Sequence, residues 1–273
     1  MAAPPSSPRP IPVFMYHDIA EDPSAVAVSH RPYVLTAAAF EAQMDALARL
    51  GVRGVSLTEA MEAAGEAPAH DAALAVLTFD DGHASNATHA MPLLRKRGFT
   101  ATFFVTASWI GQSPYMGWDQ IREAVRGGME IGTHSLTHRP PASLSPAELD
   151  HELRESRRIM EAGLGVSVLT GSAPTGFHNP GIGPAARAAG YRTLCVSRIG
   201  LWLPDADPFA IPRVPVKIDT SLELFERLAR GEAGPLRLLR ARQAVRNALK
   251  RGLGVGPYLR LRRVLLGMKD SHR

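Results

Sequence analysis

Apolar strand-like segments alternate with amphipathic helix-like segments along most of this chain, and this alternation constrains its fold more than any other feature. Residues 11–16, IPVFMY, and residues 73–79, ALAVLTF, are typical of buried strands. Residues 36–51 repeat apolar side chains at helical spacing. This β-α order predicts an α/β protein with a largely parallel sheet and helices packed outside it, either as a barrel or as an open doubly wound sheet. In both architectures the active site forms at the C-terminal ends of the strands.

Two of the predicted helices begin with recognisable capping residues. Thr36 can cap the first of them with its hydroxyl oxygen. Ser145 is followed by Pro146 at the first helical position and by Glu148 at the third, which is the pattern of a capping box. The sequence therefore predicts helices that begin directly after Thr36 and Ser145.

The length of the chain favours one catalytic domain. A chain of 273 residues, 45% of them hydrophobic, can bury a substantial core. We expect a disordered N-terminus over residues 1–10, a catalytic domain over residues 11–220 and a basic amphipathic helical extension over residues 221–273. Cys195 is the only cysteine, so the chain cannot form an intramolecular disulfide.

Positive charge is concentrated at the end of the chain. Residues 231–273 hold 11 Lys and Arg against Glu232 and Asp270, a local charge of +9, so the remainder of the chain carries −4. Leucine and valine alternate with these arginines at roughly helical spacing. Such a segment either lies on an anionic membrane surface or packs its apolar face on the barrel with its arginines solvated. Nucleic acid is not an expected partner, because only Tyr258 offers an aromatic ring there for base stacking.

The sequence favours a cytoplasmic location. The beginning, MAAPPSSPRP, lacks a basic region followed by an apolar stretch, and no apolar run in the chain is long enough to span a bilayer. We therefore expect a cytoplasmic protein. One alternative for residues 221–273 is that this basic region associates peripherally with the inner face of the membrane.

Two short motifs follow strand-like segments and carry the candidate chemistry. VLTFDDG places Asp80 beside Asp81, and adjacent carboxylates disfavour each other's ionisation unless a cation or strong hydrogen bonds compensate. GTHSLTH places His134 and His138 four residues apart. Two imidazoles and one carboxylate are a common ligand set for catalytic zinc and leave one position open for water. One aspartate can then bind the metal while the other acts on the bound water.

TFDDG together with HSLTH, about fifty residues downstream, resembles the NodB-homology polysaccharide deacetylases of carbohydrate esterase family 4. The resemblance spans roughly residues 12–219. It implies a deformed (β/α) barrel and a divalent metal used to remove acetyl groups from N-acetylated sugars.

By position, the resemblance implies that Asp80 is the catalytic base and that Asp81, His134 and His138 bind the metal. Zn²⁺ suits two nitrogens and one oxygen, and Co²⁺, Ni²⁺ or Fe²⁺ would also fit. An N-acetylated carbohydrate is the implied substrate.

Other family positions are partly kept. Thr78 and Ser135 are expected to orient the ligand loops through hydrogen bonds. GSAPTG takes the place of the third family motif, with Pro174 retained and Thr175 able to offer a backbone N–H to an oxyanion. Ser172 stands where the family has an arginine that orients the base, so we expect the base to lack this partner.

The histidine that serves as general acid near the end of many family members is missing here. His17, in VFMYHDI, stands in a stretch that resembles the poly-N-acetylglucosamine deacetylase branch, where a histidine takes this role. A protonated His17 beside Asp18 could donate a proton to the departing amine. The alternative is a histidine that only satisfies a loop.

The remaining aromatic and imidazole candidates are weaker. His83 is expected to be a solvated loop residue near the mouth of the site, and His178 is a further loop candidate. Trp109, Tyr115 and Trp118 flank a loop rich in glycine and proline, and they either stack on sugar rings or anchor that loop.

The sequence thus predicts a metal-dependent hydrolase that removes the N-acetyl group from a sugar in a glycan, a lipid-linked intermediate or a small glycoside. One alternative is a deformylase or amidase that acts on a non-polysaccharide C–N bond. The other is a catalytically impaired carbohydrate-binding protein, which Ser172 and the missing late histidine suggest.

Overall fold

A computed structural model of the chain describes residues 9–26, 28, 30–65, 73–175 and 179–253. Its strands are β1 Ile11–Tyr16, β2 Asp18–Ala20, β3 Val34–Thr36, β4 Val52–Val55, β5 Ala73–Phe79, β6 Thr102–Val105, β7 Glu130–Thr133, β8 Thr170–Ser172, β9 Thr193–Cys195, β10 Leu201–Trp202 and β11 Val214–Pro215. Its α-helices are α1 Ala37–Arg49, α2 Leu57–Gly65, α3 Met91–Arg95, α4 Trp118–Arg126, α5 Pro146–Leu164, α6 Ile182–Ala188, α7 Leu222–Ala229 and α8 Ala233–Leu253.

The main sheet curls into an incomplete barrel with helices outside it. Its strand order is β10-β1-β5-β6-β7-β8-β9, and β11 and β4 add to β1 and β5 respectively. All of these pairs are parallel except β1 with β10. The predicted α/β class and deformed barrel are therefore confirmed, and the open doubly wound alternative is wrong. Parallel strands direct all their C-terminal ends to one rim.

The predicted helix starts are confirmed. The Thr36 side chain accepts a hydrogen bond from the backbone N–H of Ala39 at 3.1 Å. Ser145 and Glu148 form the predicted capping box at the start of α5, with Pro146 as its first residue. Capping is local chemistry, because the groups involved lie within three residues of one another.

Helices α7 and α8 continue the fold beyond the last strand. Phe225 of α7 is fully buried and stacks on Phe14 of β1 with ring centroids 4.5 Å apart. Leu236, near the start of α8, is also buried in the main core. The beginning of the predicted extension is therefore packed against the sheet. The predicted domain boundaries stay predictions, and residues 1–8 and 254–273 lie outside the described residues.

No helix within the described residues is long and apolar enough to cross a membrane.

Candidate metal centre and active site

The candidate residues follow neighbouring strands at one rim of the sheet. Asp80 and Asp81 come directly after β5, and His134 comes directly after β7. Strand β6 lies between these strands and pairs in parallel with both, which aligns the ends of β5 and β7. Parallel pairing therefore brings together motifs that are far apart in sequence.

Asp81, His134 and His138 converge on one point. Each offers a ligand atom, and these atoms all lie within 4.8 Å of one another. Oδ1 of Asp81 is 3.5 Å from Nε2 of His134 and 3.3 Å from Nε2 of His138. The structure thus brings together the three residues that the sequence proposes as ligands.

The backbone around this cluster is unusual. Within the described residues, the non-glycine positions with positive φ are Asp81, Ser135, His138 and Thr175, with φ between 60° and 73°. Residues other than glycine disfavour this left-handed region. Non-glycine residues with positive φ therefore concentrate where function requires a particular side-chain direction. Gly82 follows with φ 79°, and a Cβ there would come within 3.2 Å of the backbone of Val105. Glycine is therefore strongly favoured at that position of the DDG turn.

Protonation states in the cluster suit a cation. Burial lowers the pKa of His134 to about 4, although Asp80 opposes this shift. Nδ1–H of His134 donates to the carbonyl oxygen of Ser172 at 3.1 Å, which leaves Nε2 with its lone pair directed at the cluster. Burial raises the pKa of Asp81, but contacts with His138 and His83 outweigh it and hold that pKa well below the usual value.

A divalent cation fits this site. Oδ1 of Asp81 is buried and accepts no hydrogen bond from any described residue. An unsatisfied buried carboxylate oxygen is costly unless a cation compensates it. Two neutral imidazole nitrogens and one carboxylate oxygen form a three-ligand set of the catalytic zinc type.

Asp80 is buried and paired with an arginine that the sequence did not single out. Nη1 and Nη2 of Arg213 donate to the two carboxylate oxygens of Asp80, each at 2.7 Å. Both side chains are almost completely buried. Burial raises the pKa of Asp80, but the charge and hydrogen bonds of Arg213 outweigh it, so the pKa is lowered and Asp80 remains ionised.

The expectation that the base lacks an arginine partner is wrong. The arginine comes from the segment just before β11, which pairs with β1 beside β5, and not from the position that Ser172 occupies. Ser172 accepts a hydrogen bond from Nη2 of Arg213 at 2.7 Å and donates one to Asp80 at 3.2 Å. Its small side chain lies within the Asp80–Arg213 pair.

Thr78 and Ser135 hold different parts of the site. Oγ1 of Thr78 donates to the carbonyl of Phe14 at 2.8 Å and accepts from Arg213 at 3.3 Å, so Thr78 contacts the arginine that pairs with the base. Oγ of Ser135 accepts from the backbone N–H of His138 at 3.0 Å. Their predicted orienting role is consistent with these contacts and stays a prediction.

The loop between the two histidines is clamped by Glu152 of α5. One carboxylate oxygen of Glu152 accepts from the backbone N–H groups of Leu136 and Thr137 at 2.9 and 2.8 Å, and the other accepts from the Thr137 hydroxyl. Glu152 is buried, so these groups have little access to competing water. A helix outside the barrel thus fixes the loop that carries the two imidazoles.

With this geometry established, comparison with known proteins identifies the family. The sequence profile of the family described as "Polysaccharide deacetylase" matches residues 68–194. The match places residues 68–194, which hold Asp80, Asp81, His134 and His138, in the polysaccharide deacetylase family. The chain is accordingly a hydrolase that acts on carbon–nitrogen bonds.

Individual relatives agree with this assignment. The chain is 27% identical over 220 residues to YxkH of Bacillus subtilis, whose name places it among polysaccharide deacetylases, and the match covers 80% of this chain and 75% of the relative. It is 28% identical over 150 residues to the peptidoglycan-N-acetylglucosamine deacetylase of Bacillus cereus, covering 55% and 66% of the two chains. The solved structure of the deacetylase PplD of Streptococcus pyogenes, in complex with acetate, superposes with a TM-score of 0.70 at 22% identity over 80% of this chain and 96% of that one. This last likeness shows a shared fold.

His17 lies after β1, on the same rim. Its ring packs on Tyr33 with centroids 4.7 Å apart, and its Nδ1 is buried without a hydrogen-bond partner among the described residues. Burial lowers the pKa of His17, and the negative charges of Asp81 and Asp80 oppose that shift. His17 therefore lies within electrostatic reach of both aspartates, and its role as general acid stays a prediction.

The loop after β8 is described only in part. Pro174 is buried and Thr175 is exposed with φ 64°. Residues 176–178, which include the candidate His178, lie outside the described residues. The predicted oxyanion role of Thr175 remains a prediction.

The aromatic residues of the 109–118 segment make different contacts. Trp109 stacks on Tyr115 at 4.5 Å and on His138 at 4.9 Å between ring centroids, so it abuts the candidate ligand set. Trp118 packs closely on Gly163 of α5, where an added Cβ would lie 2.2 Å from its ring. Trp118 thus anchors α4 to α5, whereas the half-buried Trp109 and Tyr115 line the candidate site.

The expectation that His83 is solvated is wrong. His83 is 5% exposed, and its Nε2 lies 3.7 Å from Oδ2 of Asp81. Positive φ at Gly82 and packing against Tyr115 turn the ring inward.

Sequence reasoning missed the roles of Arg213, Glu152 and His83. A signal existed for Arg213, because a lone charge in the apolar run AIPRVPV is expensive to bury without a partner. Glu152 gave no such signal, since it stands among other charged residues on a helix.

Proposed function

We propose that the chain removes the acetyl group from an N-acetylated sugar by hydrolysis with the help of a divalent cation. The observation that carries this proposal is the convergence of Asp81, His134 and His138 beside the buried, ionised Asp80. Oδ2 of Asp80 lies 3.9 Å from Nε2 of His134, so the proposed base directly adjoins the proposed ligands.

The three ligand residues would hold the cation through Oδ1 of Asp81 and the Nε2 atoms of His134 and His138. A bound cation of this kind would lower the pKa of a water molecule towards neutrality and polarise the substrate carbonyl. Zn²⁺ is our first choice for this donor set, with Co²⁺, Ni²⁺ or Fe²⁺ as alternatives.

Residues of the chain would perform the proton transfers. Asp80, kept ionised by Arg213, would take the proton of the attacking water. His17 would donate a proton to the amine as the C–N bond breaks, and a backbone N–H at Thr175 would stabilise the oxyanion. The products are a carboxylate, acetate in the proposed case, and a free amino sugar.

The names of the relatives favour a sugar N-acetyl group as the substrate. Both YxkH and the Bacillus cereus relative are named as deacetylases of polysaccharide or peptidoglycan N-acetylglucosamine. The impaired-binder alternative is not favoured, because Arg213 provides the partner of Asp80 that Ser172 cannot. The deformylase or amidase alternative has no specific observation in its favour.

Metal removal is the direct test of this proposal. Purified protein is stripped with a chelator, reloaded separately with Zn²⁺, Co²⁺, Ni²⁺ or Fe²⁺, and assayed on N-acetylglucosamine oligomers for acetate, formate and free amine. We expect the stripped protein to lose acetate release to background and at least one cation to restore it. Equal release of acetate and amine would establish hydrolysis of the C–N bond.

The Asp81→Asn variant, assayed in the same way, should bind the cation weakly and remain inactive after reloading. Acetate release that persists in the stripped protein would contradict the proposed role of the metal. Release of formate in place of acetate, from a formylated panel, would support the deformylase alternative.

We also propose that the basic C-terminal region associates with an anionic membrane surface. Helix α8 buries Leu236 against the core, whereas Leu238 and Val245 are 54% and 63% exposed. Arg237 and Arg242 are exposed beside them. Exposed aliphatic residues among arginines suit a lipid surface, where apolar atoms enter the interface and cations meet phosphates. The predicted cytoplasmic location stays a prediction.

Vesicle sedimentation tests this association. The full chain is expected to bind vesicles that contain phosphatidylglycerol and to bind phosphatidylcholine vesicles much less, with binding reduced by salt. Because each arginine near such a surface contributes roughly 1 kcal/mol, Arg237→Gln with Arg242→Gln should weaken partitioning by about 30-fold. Arg53→Gln with Arg139→Gln, which changes two exposed arginines elsewhere, is the matched control. Equal binding to both vesicle types would contradict the proposal.

A further inference from the structure

One buried imidazole near the metal centre has no role in the proposed reaction. His83 is 5% exposed and directly follows the DDG turn. It does not belong to the group of described ligand atoms that lie within 4.8 Å of one another. Burying a polar ring is costly unless its nitrogens meet partners, so the groups that face this ring are informative.

The two ring nitrogens of His83 face two carboxylates. Nε2 lies 3.7 Å from Oδ2 of Asp81, and Nδ1 lies 3.8 Å from Oδ2 of Asp18. The Asp81 oxygen that faces His83 differs from Oδ1, which faces His134 and His138. The ring is therefore positioned to act on the rotation of the Asp81 carboxylate about its Cβ–Cγ bond.

The groups around His83 are themselves held in place. Oδ1 of Asp18 accepts a hydrogen bond from the Ser85 hydroxyl at 2.6 Å, and Oγ of Ser85 accepts from the backbone N–H of Ile19 at 3.1 Å. The ring of His83 packs on Tyr115 with centroids 5.1 Å apart, and the backbones of these two residues form a bridge. Tyr115 thus packs on the ring from its side, and Asp18 faces its far edge at 3.8 Å, beyond hydrogen-bond distance.

We propose that His83 is a positioning residue that fixes the Asp81 carboxylate so that Oδ1 is presented to the cation, with Asp18 facing the far edge of its ring. This inference rests on the proposed function, because it assigns Asp81 as a ligand. Groups that orient a ligand in this way commonly change metal affinity by about 10- to 100-fold when they are removed.

The test measures cation affinity by competition with a chromophoric chelator, with no substrate present. His83→Phe keeps a planar ring without nitrogens and should weaken Zn²⁺ affinity by about 10- to 100-fold. His83→Gln, which retains an amide near the position of Nε2, should recover part of this loss. Asp18→Asn should also weaken Zn²⁺ affinity. Its effect should be non-additive with that of His83→Phe, because Asp18 would act on Asp81 through His83.

His89→Phe is the matched control, since His89 is a partly exposed histidine six residues away and its imidazole should not affect cation affinity. The thermal midpoint of each metal-free variant is measured in parallel to detect general loss of structure. Unchanged cation affinity in His83→Phe, or a lower midpoint with unchanged affinity, would overturn the positioning role. Failure of the unsubstituted chain to bind any of the four cations would instead overturn the proposed function, and the positioning role with it.

Discussion

The Asp80→Asn variant is expected to lose activity by about 10²- to 10⁴-fold in kcat and to retain cation binding, because an amide cannot accept the proton of the attacking water. Asp80 adjoins the ligand cluster, with Oδ2 3.9 Å from Nε2 of His134, yet it is not a member of that cluster. The decisive measurement is kcat on an N-acetylated oligosaccharide, normalised to bound metal.

Asp119→Asn is the matched control for this change. Asp119 is an exposed carboxylate that pairs with Arg122 on the surface, so kcat should not change. If Asp80→Asn lowered cation affinity as strongly as Asp81→Asn does, Asp80 would be a ligand and its assignment as the base would be wrong. If kcat were unchanged, another group would have to accept the proton.

The Arg213→Met variant is expected to lose both stability and activity. Nearly the whole Asp80–Arg213 pair is buried, and the removal of one partner leaves an uncompensated buried charge. Such a change typically costs about 3–5 kcal/mol in the free energy of unfolding. Denaturant titration gives this quantity from the transition midpoint and slope.

The same variant should change the pH dependence of the reaction. Burial raises the pKa of Asp80, and Arg213 is the largest of the groups that lower it. Without the guanidinium the pKa of Asp80 should rise, so a larger share of the base is protonated at mildly acidic pH. The acidic limb of the kcat/KM profile is therefore expected to move to higher pH.

Two further variants separate this effect from a general loss of an arginine. Arg139→Met removes an exposed ion pair with Glu148 and should change the unfolding free energy by only about 0–1 kcal/mol. The Asp80→Asn, Arg213→Met double variant should be less destabilised than the sum of the single variants, because it buries no unpaired charge. Full additivity, or an unshifted pH profile in Arg213→Met, would show that the arginine does not control Asp80.

The site illustrates which features could be read from local sequence. TFDDG and HSLTH could be recognised in the sequence because each places several carboxylate or imidazole side chains within a few positions after a strand-like segment. The prediction that they meet needed only the rule that parallel strands share one rim. Register between β5, β6 and β7 then brought Asp81 within 3.5 Å of both imidazoles.

The partners of these motifs could not be read in the same way. Arg213 pairs with a residue 133 positions earlier, and Glu152 reaches the histidine loop from a helix outside the sheet. Ser172 stands at the position where the family resemblance places an arginine. The guanidinium of Arg213 reaches the same space from a different part of the sheet. The inward turn of His83 likewise depends on its packing against Tyr115 across two loops.

The sequence by itself determined the α/β class, the helix starts and the residues proposed to carry the chemistry, because those depend on patterns within a few neighbouring positions. Only the tertiary structure decided which side chains orient and charge-balance that chemistry. The physical reason is that the curled sheet places β11 beside β1, and β1 beside β5, so Arg213 reaches Asp80 across a distance in sequence over which local patterns hold no information.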